Sequence, residues 1–183
     1  PATAPLVLLG FAITVAASFP IGIATAKRAG GKLDRAITVF NQVCMSIPPV
    51  FVGILLCFVF GITLRVFVPG RFVTFGEDPG GFLLYMLFPA LAVALSRIAM
   101  TVKMLRSSIL DEMEKDYIRT AFSRGWTRVD ALKKHALRNA IIPVIAFLGV
   151  TAAELVAGSI VVEQVFAVPG LGQLLLSSIG SRD

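Results

Sequence analysis

The run from Gly81 to Val102 reads GFLLYMLFPALAVALSRIAMTV, and its only charged residue is Arg97. A helix of roughly 20 apolar residues crosses a bilayer hydrocarbon core about 30 Å thick, so this run predicts a membrane-spanning helix. Three further stretches meet the same test: 6–26, 36–64 and 139–162. We therefore predict an all-α membrane protein, with residues 1–183 forming one domain: a polytopic bundle of about four transmembrane helices.

The composition agrees with a surface that faces lipid. Apolar residues make up 56% of the chain, charged residues 15%, and the mean hydropathy is +0.85. A soluble fold must cover its surface with charged and amide groups, which this composition does not provide. The net charge of +6 does not indicate a nucleic-acid partner, because the cations fall in two clusters between apolar runs and not on one soluble face. We expect a lipid bilayer and no nucleic acid as partner.

The positions of the cations predict the orientation of the spans. The connection after the first span holds Lys27, Arg28, Lys32 and Arg35. The connection after the third span holds Lys103, Arg106, Lys115, Arg119, Arg124, Arg128, Lys133, Lys134 and Arg138. Between the second and third spans there are only Arg65 and Arg71. By the positive-inside rule the two basic connections are cytoplasmic, so both ends of the chain are expected on the external side of the plasma membrane.

A fifth uncharged run, 164–181, is interrupted by Pro169-Gly170-Leu171-Gly172. We predict an external interfacial or re-entrant segment here and not a crossing. The chain begins at Pro1 without a methionine, and its first span has no basic leader of the kind that marks a signal peptide. We expect it to be part of a longer polypeptide, incomplete at both ends.

The connection over about 106–138 is patterned and too long for a plain linker. Apolar or small residues recur at every fourth position, at Ile109, Met113, Tyr117 and Ala121. This spacing predicts an amphipathic helix that continues out of the membrane until Gly125 breaks it. Thr127 and Asp130 then match a capping box at the start of a second helix, which leads back to the membrane. The prediction is a helix-turn-helix.

Within this connection, residues 116–125 read DYIRTAFSRG and residues 135–143 read HALRNAIIP. The two segments resemble the coupling-loop signature of the permeases of binding-protein-dependent ABC importers, in the variant of the dipeptide, oligopeptide and nickel branch. Compared with the general motif, Arg119 replaces a Glu, Thr120 replaces an Ala and Arg138 stands where a Pro is usual. These departures argue against the sugar and amino-acid importers. Residues 163–172, EQVFAVPGLG, and 46–49, SIPP, resemble two further segments of the same branch.

The resemblance implies the fold of a type I ABC importer permease and a role as its pore-forming subunit, for peptides or nickel complexes. The implied partners are cytoplasmic ATP-binding subunits, a second homologous permease subunit and an external substrate-binding protein. ATP and Mg would be held by the ATPase, and this chain would bind no cofactor, hold no metal and not be an enzyme. The family's external motif falls on Glu163, Phe166, Pro169, Gly170 and Gly172.

The residues implied in coupling to the ATPase are Asp116, Tyr117, Arg119, Thr120, Ala121, Ser123, Arg124 and Gly125. The small side chains of Ala121 and Ser123 are expected to let a short helix sit deep in a groove of the partner, while Gly125 allows a tight exit. Charges flanking them can set the register. The alternative is a basic interfacial helix that lies on anionic lipid headgroups.

Polar groups and prolines inside the spans are candidates for the translocation path. The candidates are Pro48, Pro49 and Glu154. Glu154 either lines the outer part of the path or is a locally hydrogen-bonded carboxylate at a helix interface. Arg97 is expected to extend toward the cytoplasm, and the estimated difference in depth between Arg97 and Glu154 predicts that they do not form a direct pair. His135, the single histidine, has no second ligand nearby to suggest a metal site.

Two other classes of protein compete with this interpretation. A secondary transporter or channel without an ATPase would be favoured by inverted repeats or relays of intramembrane carboxylates, and the sequence has neither. A membrane-embedded enzyme would need paired catalytic groups within the spans, which are absent too. The chain has no Gly-rich phosphate-binding loop, so ATP hydrolysis would require another subunit. The substrate itself is not identified by the sequence.

Overall fold

The computed structural model describes residues 2–181, except for the side chains of 176, 177 and 179–181. Residues 1, 182 and 183 of the predicted domain lie outside the described part. The described chain is helical, without strands, which confirms the all-α prediction. The helices are α1 (Thr3–Lys27), α2 (Lys32–Ser46), α3 (Pro49–Leu56), α4 (Pro79–Met113), α5 (Asp116–Ser123), α6 (Arg128–Ala131), α7 (Leu137–Phe166) and α8 (Leu171–Ser181). A π-helical segment extends α3 over Cys57–Thr63, and another joins α6 to α7 over Leu132–Ala136.

Helix α4 lies at the centre of the bundle and packs against α1, α2, α3 and α7. In its most apolar stretch 61% of the residues are buried, compared with 28% in α1 and in α7. Two glycines allow α1 to approach closely: a Cβ at Gly22 would lie 2.9 Å from a methyl carbon of Leu105, and one at Gly10 would lie 3.1 Å from Val93. The apolar residues that α1 and α7 leave exposed are those expected to face lipid or other helices.

Three described helices are long and apolar enough to cross a membrane, and a fourth crossing is possible if α2 and α3 together form one bent span. The run 36–64, which the sequence suggested as a single span, is divided at Ile47 and Pro48, where the two helical parts meet at 95°. Both residues adopt extended backbone angles because each precedes a proline. Pro48 and Pro49 also lack the N–H groups that a continuous helix would need.

The predicted helix that leaves the membrane is also divided. Helix α4 ends at Met113, and α5 begins only after Lys115, whose ψ is 153°. Three acidic residues lie at the end of α4: Asp111, Glu112 and Glu114. The dipole of a helix disfavours negative charge at this end and favours it in the first turn, where Asp116 lies in α5. The break corrects the prediction of one helix reaching to Gly125. It allows Ile118 to pack with Met113, Ala131 and Ala136.

Candidate functional sites

The α5–α6 corner (residues 116–131) reverses the chain at Gly125, whose φ is 84°. The Gly125 N–H donates to the Phe122 carbonyl at 2.9 Å, and the Trp126 N–H donates to the Ala121 carbonyl at 3.2 Å. This is the Schellman pattern of hydrogen bonds, which requires a residue in the left-handed region and therefore favours glycine. No neighbouring atom restricts the space around Gly125, so its requirement is conformational. The break predicted at Gly125 is confirmed.

The second helix of this corner begins at the predicted cap. The Thr127 hydroxyl oxygen accepts a hydrogen bond from the Asp130 N–H at 3.2 Å. The Asp130 carboxylate, however, accepts from the Thr127 hydroxyl at 2.6 Å and not from a backbone amide. Half of the capping box is therefore formed as expected. Together with the turn at Gly125, it fixes the angle between α5 and α6.

Most of the predicted coupling residues lie on the outside of the corner, but one does not. Exposed are Asp116, Tyr117, Arg119, Thr120, Ser123, Arg124 and Gly125. Ala121 is only 7% exposed, so its small side chain serves the packing of the corner itself. This corrects the expectation that Ala121 faces a partner's groove. That expectation came from the family resemblance, whereas the four-residue spacing had placed Ala121 with Ile109 and Met113 on the apolar face of the predicted helix.

Phe122 is 40% exposed and was not among the residues predicted from the sequence. It lines an open groove of about 270 Å³ between the end of α4 and the corner, together with Leu110, Met113, Glu114 and Arg128. A large aromatic residue that remains exposed on a short helix outside the apolar spans is a signal that could have identified it.

Polar contacts hold α5 to the two long helices. The Tyr117 hydroxyl donates to the Glu112 carboxylate of α4 at 2.6 Å and accepts from the Asn139 amide of α7 at 3.2 Å. Lys115 also forms an ion pair with Glu112. Hydrogen bonds from Lys115, and then from Tyr117, lower the pKa of the Glu112 carboxyl below its usual value. The corner is therefore attached to both α4 and α7.

A second missed contact joins α2 to α4. Asp34 is only 3% exposed, and its carboxylate accepts two hydrogen bonds from the Arg106 guanidinium, at 2.6 and 2.8 Å. The Gly30 N–H donates a third hydrogen bond at 2.8 Å. Bidentate pairs of this kind are strong and geometrically specific. Asp34 is the only acidic residue of the basic connection 27–35, a signal in the sequence that was available.

The α7–α8 corner (residues 163–172) contains the predicted external motif. Helix α7 ends at Phe166 and is followed by Ala167, whose φ is 51°. The Ala167 N–H donates to the Gln164 carbonyl at 3.2 Å, and the Val168 N–H donates to the Glu163 carbonyl at 2.9 Å. This is again the Schellman pattern, here with an alanine in the left-handed position. The predicted break at 169–172 is present, but α7 extends three residues into the run 164–181.

Glu163 organises this corner from the inside. Its side chain is fully buried, and one carboxylate oxygen accepts a hydrogen bond from the Gly172 N–H in the first turn of α8 at 2.8 Å. A Cβ at Gly170 would overlap the carboxylate, and one at Gly172 would lie 2.5 Å from the Ile160 carbonyl oxygen. The two glycines of the motif are therefore required by the close approach of Glu163 and α7.

The remaining members of the external motif pack into the same unit. Phe166 is fully buried, and its carbonyl accepts a hydrogen bond from the Tyr85 hydroxyl, which in turn accepts from the Gly70 N–H at 3.0 Å. The Pro169 carbonyl accepts from the Ala2 N–H at 3.3 Å, and Thr3 accepts from the Leu171 N–H at 2.8 Å. These contributions from α1 and α4 were not predicted from the sequence.

Arg97 of α4 and Glu154 of α7 form an ion pair. This corrects two expectations: that Arg97 extends toward the cytoplasm and that the two residues lie at different depths. The depths had been measured from assumed membrane edges. Measured from the helix ends beside the α5–α6 corner, Arg97 lies 16 residues from Met113 and Glu154 lies 17 residues from Leu137. At about 1.5 Å per residue both are roughly 25 Å from that end.

The candidate residues thus fall into separate groups. The coupling residues share the α5–α6 corner, and the external motif forms the α7–α8 corner. Pro48 and Pro49 produce the bend between α2 and α3, while Glu154 is paired within the bundle. Helix α3 rests on the α7–α8 corner, since a Cβ at Gly53 would lie 3.3 Å from the Phe166 ring.

Comparison with known proteins places the chain in a family. The model of the family described as "Binding-protein-dependent transport system inner membrane component" matches residues 18–183. A Brucella abortus protein whose name describes a peptide transport system permease is 37% identical over 183 residues, which are 100% of this chain and 58% of that protein. The oligopeptide transport system permease protein AppB of Bacillus subtilis is 35% identical over 185 residues, covering 100% of this chain and 58% of that protein.

The dipeptide transport system permease protein DppB of Bacillus subtilis is 33% identical over 183 residues, covering 100% of this chain and 57% of that protein. The chain thus spans somewhat more than half the length of these relatives. The all-α architecture, with three or four apolar helices, agrees with a multi-pass membrane component. The chain belongs to the family of inner membrane components of binding-protein-dependent transport systems.

Proposed function

We propose that this chain is part of the pore-forming subunit of an ABC importer that moves peptides into the cytoplasm, driven by a separate ATPase. The observation that carries the proposal is the α5–α6 corner. Its turn is fixed by the Schellman pattern at Gly125 and the cap at Thr127, and its polar residues and Phe122 remain exposed. A rigid element with an exposed outer surface can transmit a movement imposed by a partner.

The attachments of the corner supply a path for that movement. Tyr117 contacts Glu112 on α4 and Asn139 on α7, so a displacement of α5 acts on both long helices. Helix α4 continues for 35 residues, or about 52 Å at about 1.5 Å per residue. The Asp34–Arg106 pair makes α2 move with α4. Closure of the ATPase would in this way reach the Arg97–Glu154 pair and the bend at Pro48.

Besides this chain, the proposed assembly has three kinds of component. The ATP-binding subunits hold ATP and Mg and contact the α5–α6 corner in the cytoplasm. A second homologous permease subunit completes the pore, and an external substrate-binding protein delivers the substrate. The two clusters of cations support this orientation, with both ends of the chain and the α7–α8 corner on the external side.

The relatives support peptides over nickel complexes as the substrate. The relatives described above carry the words peptide, oligopeptide and dipeptide in their names. We accordingly place Glu154, Pro48 and Pro49 beside the path of a peptide. The two prolines act in this proposal as a bend that moves when α2 and α3 change their angle.

The test uses the intact transporter, with its ATPase and receptor, reconstituted in lipid vesicles. Gly125→Trp distorts the turn, and Phe122→Glu places a charge in the exposed groove. We expect both variants to insert into the membrane while peptide uptake and stimulated ATP hydrolysis are lost. Phe75→Glu, at a 59% exposed aromatic residue far along the chain from the corner, is the control and should retain both activities. Normal uptake by both corner variants would refute the proposal.

A further inference from the structure

The ion pair between Arg97 and Glu154 is placed at bilayer depth without being fully enclosed. The Glu154 side chain is 44% exposed and the Arg97 side chain 19% exposed. Charged side chains do not face hydrocarbon but turn toward the interior of a bundle or a water-filled cavity. The side of α4 and α7 that carries the pair therefore faces water or another protein helix, and a solute in that space can reach both charges.

An open groove of about 310 Å³ begins beside this pair. It is lined by Met45, Met100, Lys103, Met104, Ser107 and Phe147. The Arg97 guanidinium contacts the Met100 sulfur at 3.8 Å, so the groove and the pair adjoin. Met104 follows Arg97 by seven residues on α4, and Phe147 precedes Glu154 by seven residues on α7. Seven residues are nearly two helical turns, so Met104 and Phe147 lie on the same sides of their helices as the two charged residues. Since the two helices are antiparallel, the groove extends from the pair toward the α5–α6 corner.

The lining of the groove indicates what it can accept. Methionine side chains are flexible and polarisable, and they are common on surfaces that bind varied apolar partners. The methionines therefore select little among side chains, whereas the two charges at the mouth of the groove select strongly. Lys103, which also lines the groove, adds a cation there. A ligand that suits both has a fixed ammonium and a fixed carboxylate with variable groups between them. Short peptides with free ends have this chemistry.

We propose that Arg97 and Glu154 form a subsite that opens to bind the two ends of a peptide. The peptide ammonium pairs with the Glu154 carboxylate, and the peptide carboxylate pairs with the Arg97 guanidinium, which can bind it through two hydrogen bonds. The side chains of the peptide lie in the methionine groove. This exchange replaces one ion pair with two, so no charge is left unpaired at bilayer depth. The inference rests on the proposed function and adds the chemistry by which the substrate is recognised.

The experiment measures equilibrium binding to the intact transporter in lipid nanodiscs, without the external receptor. The probes are trialanine with free ends, N-acetyl-trialanine and trialanine amide. The wild-type transporter should bind the free-ended peptide about tenfold or more tightly than either blocked form, because each block leaves one protein charge without its partner. Asp111→Asn, at an exposed carboxylate near the end of α4, is the control and should keep both preferences.

Each single variant should remove one preference and keep the other. In Glu154→Gln, N-acetyl-trialanine should bind as well as trialanine, while the amide remains discriminated against. In Arg97→Gln, the amide should bind as well as trialanine, while the N-acetyl form remains discriminated against. Either variant alone is sufficient if the other does not assemble. The proposed subsite is overturned if both variants, or the one variant that assembles, keep the binding preferences of the wild-type transporter.

Failure of the subsite and failure of the proposed function give different results. If the wild-type transporter imports trialanine but its variants discriminate as it does, only the subsite is wrong. If the wild type neither binds nor imports any of the three peptides, and another class of solute stimulates its ATP hydrolysis, the proposed function is wrong and the subsite with it.

Discussion

The α5–α6 corner and the α7–α8 corner reverse the chain with the same backbone pattern, but their surroundings differ. Each has a residue with positive φ, Gly125 at 84° and Ala167 at 51°, and each has the paired hydrogen bonds of the Schellman pattern. At the α7–α8 turn three side chains, those of Glu163, Phe166 and Val168, are fully buried, although Ala167 and Pro169 are exposed. Around the α5–α6 turn they are exposed: Phe122, Ser123 and Arg124.

This difference separates a corner that holds the chain together from a corner that is available to a partner. At the α7–α8 corner the packing is completed by residues of the same chain, so substitutions should act mainly on stability. At the α5–α6 corner the outer side chains have few contacts within the chain, so substitutions there should act mainly on coupled activity. The four predictions that follow test this distinction, beginning with the largest effect.

The largest loss of stability is expected from Gly172→Ala in the α7–α8 corner. The added Cβ would lie 2.5 Å from the Ile160 carbonyl oxygen, and this backbone atom cannot rotate away. We expect overpacking to lower the free energy of unfolding by about 3 kcal/mol. Thermal denaturation of the purified intact transporter measures the effect. Gly76→Ala, where a Cβ would meet no neighbour, is the matched control. Equal stability of the two variants would show that Glu163 and α7 do not approach this turn closely.

The second largest loss of stability is expected from the Asp34–Arg106 pair, which holds α2 to α4, the helix that leads to the α5–α6 corner. Asp34→Asn removes the charge that pairs with Arg106, and since Arg106 is 30% exposed the cost should be moderate, about 2 kcal/mol. The free energy of unfolding and the stimulated rate of ATP hydrolysis should both decrease, because α2 is no longer held to α4. Asp111→Asn, at an exposed carboxylate on the same side of the bundle, is the control. A stable but uncoupled Asp34→Asn variant would instead assign the pair to the movement alone.

A reciprocal pair of substitutions compares the two left-handed positions directly. Gly125→Ala should lower stability by about 1 kcal/mol, because an alanine resists positive φ. Ala167→Gly should raise stability by a similar amount for the same reason, unless the turn depends on the alanine methyl group. Denaturation of the intact transporter measures both. Gly125→Asn is the intermediate case, since asparagine tolerates this conformation better than alanine. Stabilisation by Gly125→Ala would contradict the assigned turn.

The smallest change of stability is expected at the exposed pair of Asp116 and Arg119. Their charged groups lie 3.5 Å apart, and their side chains are 96% and 75% exposed. Ion pairs this exposed contribute little because water and salt screen them. Asp116→Asn should leave the denaturation temperature unchanged and should alter stimulated ATP hydrolysis if Asp116 sets the register with a partner. A clear loss of stability would mean that this face of α5 is less exposed than the structure indicates.

Local patterns in the sequence predicted those features that depend on neighbouring residues alone. The apolar runs indicated the long helices, Gly125 indicated the turn and Thr127 indicated the cap. The bend at Pro48 follows from the same kind of local rule, because a proline cannot continue the hydrogen bonding of a helix, and the sequence had indicated these prolines as candidates for the translocation path. It did not predict that the helices on each side would meet at 95°.

Features that depend on the relative position of distant segments could not be predicted in this way. The Arg97–Glu154 pair was missed because the depth of each residue was estimated from assumed membrane edges. The exposure expected of Ala121 came from the family motif, whereas its burial results from the packing of the corner itself. Glu163 is buried because the Gly172 amide and the backbone of α8 enclose it, an arrangement that appears only when α7 and α8 pack together.

The central claim is that the α5–α6 corner contacts an ATP-hydrolysing subunit in the cytoplasm. Cysteine-directed cross-linking in the intact transporter tests it most directly, with Phe122→Cys at the corner and Phe75→Cys in the connection between α3 and α4 as the control. We predict a cross-link from position 122 to the ATP-binding subunit and none from position 75. When ATP closes the partner, the cross-link from position 122 should be lost or its yield should change. A transporter that is active, yet forms this cross-link only from position 75, would contradict the claim.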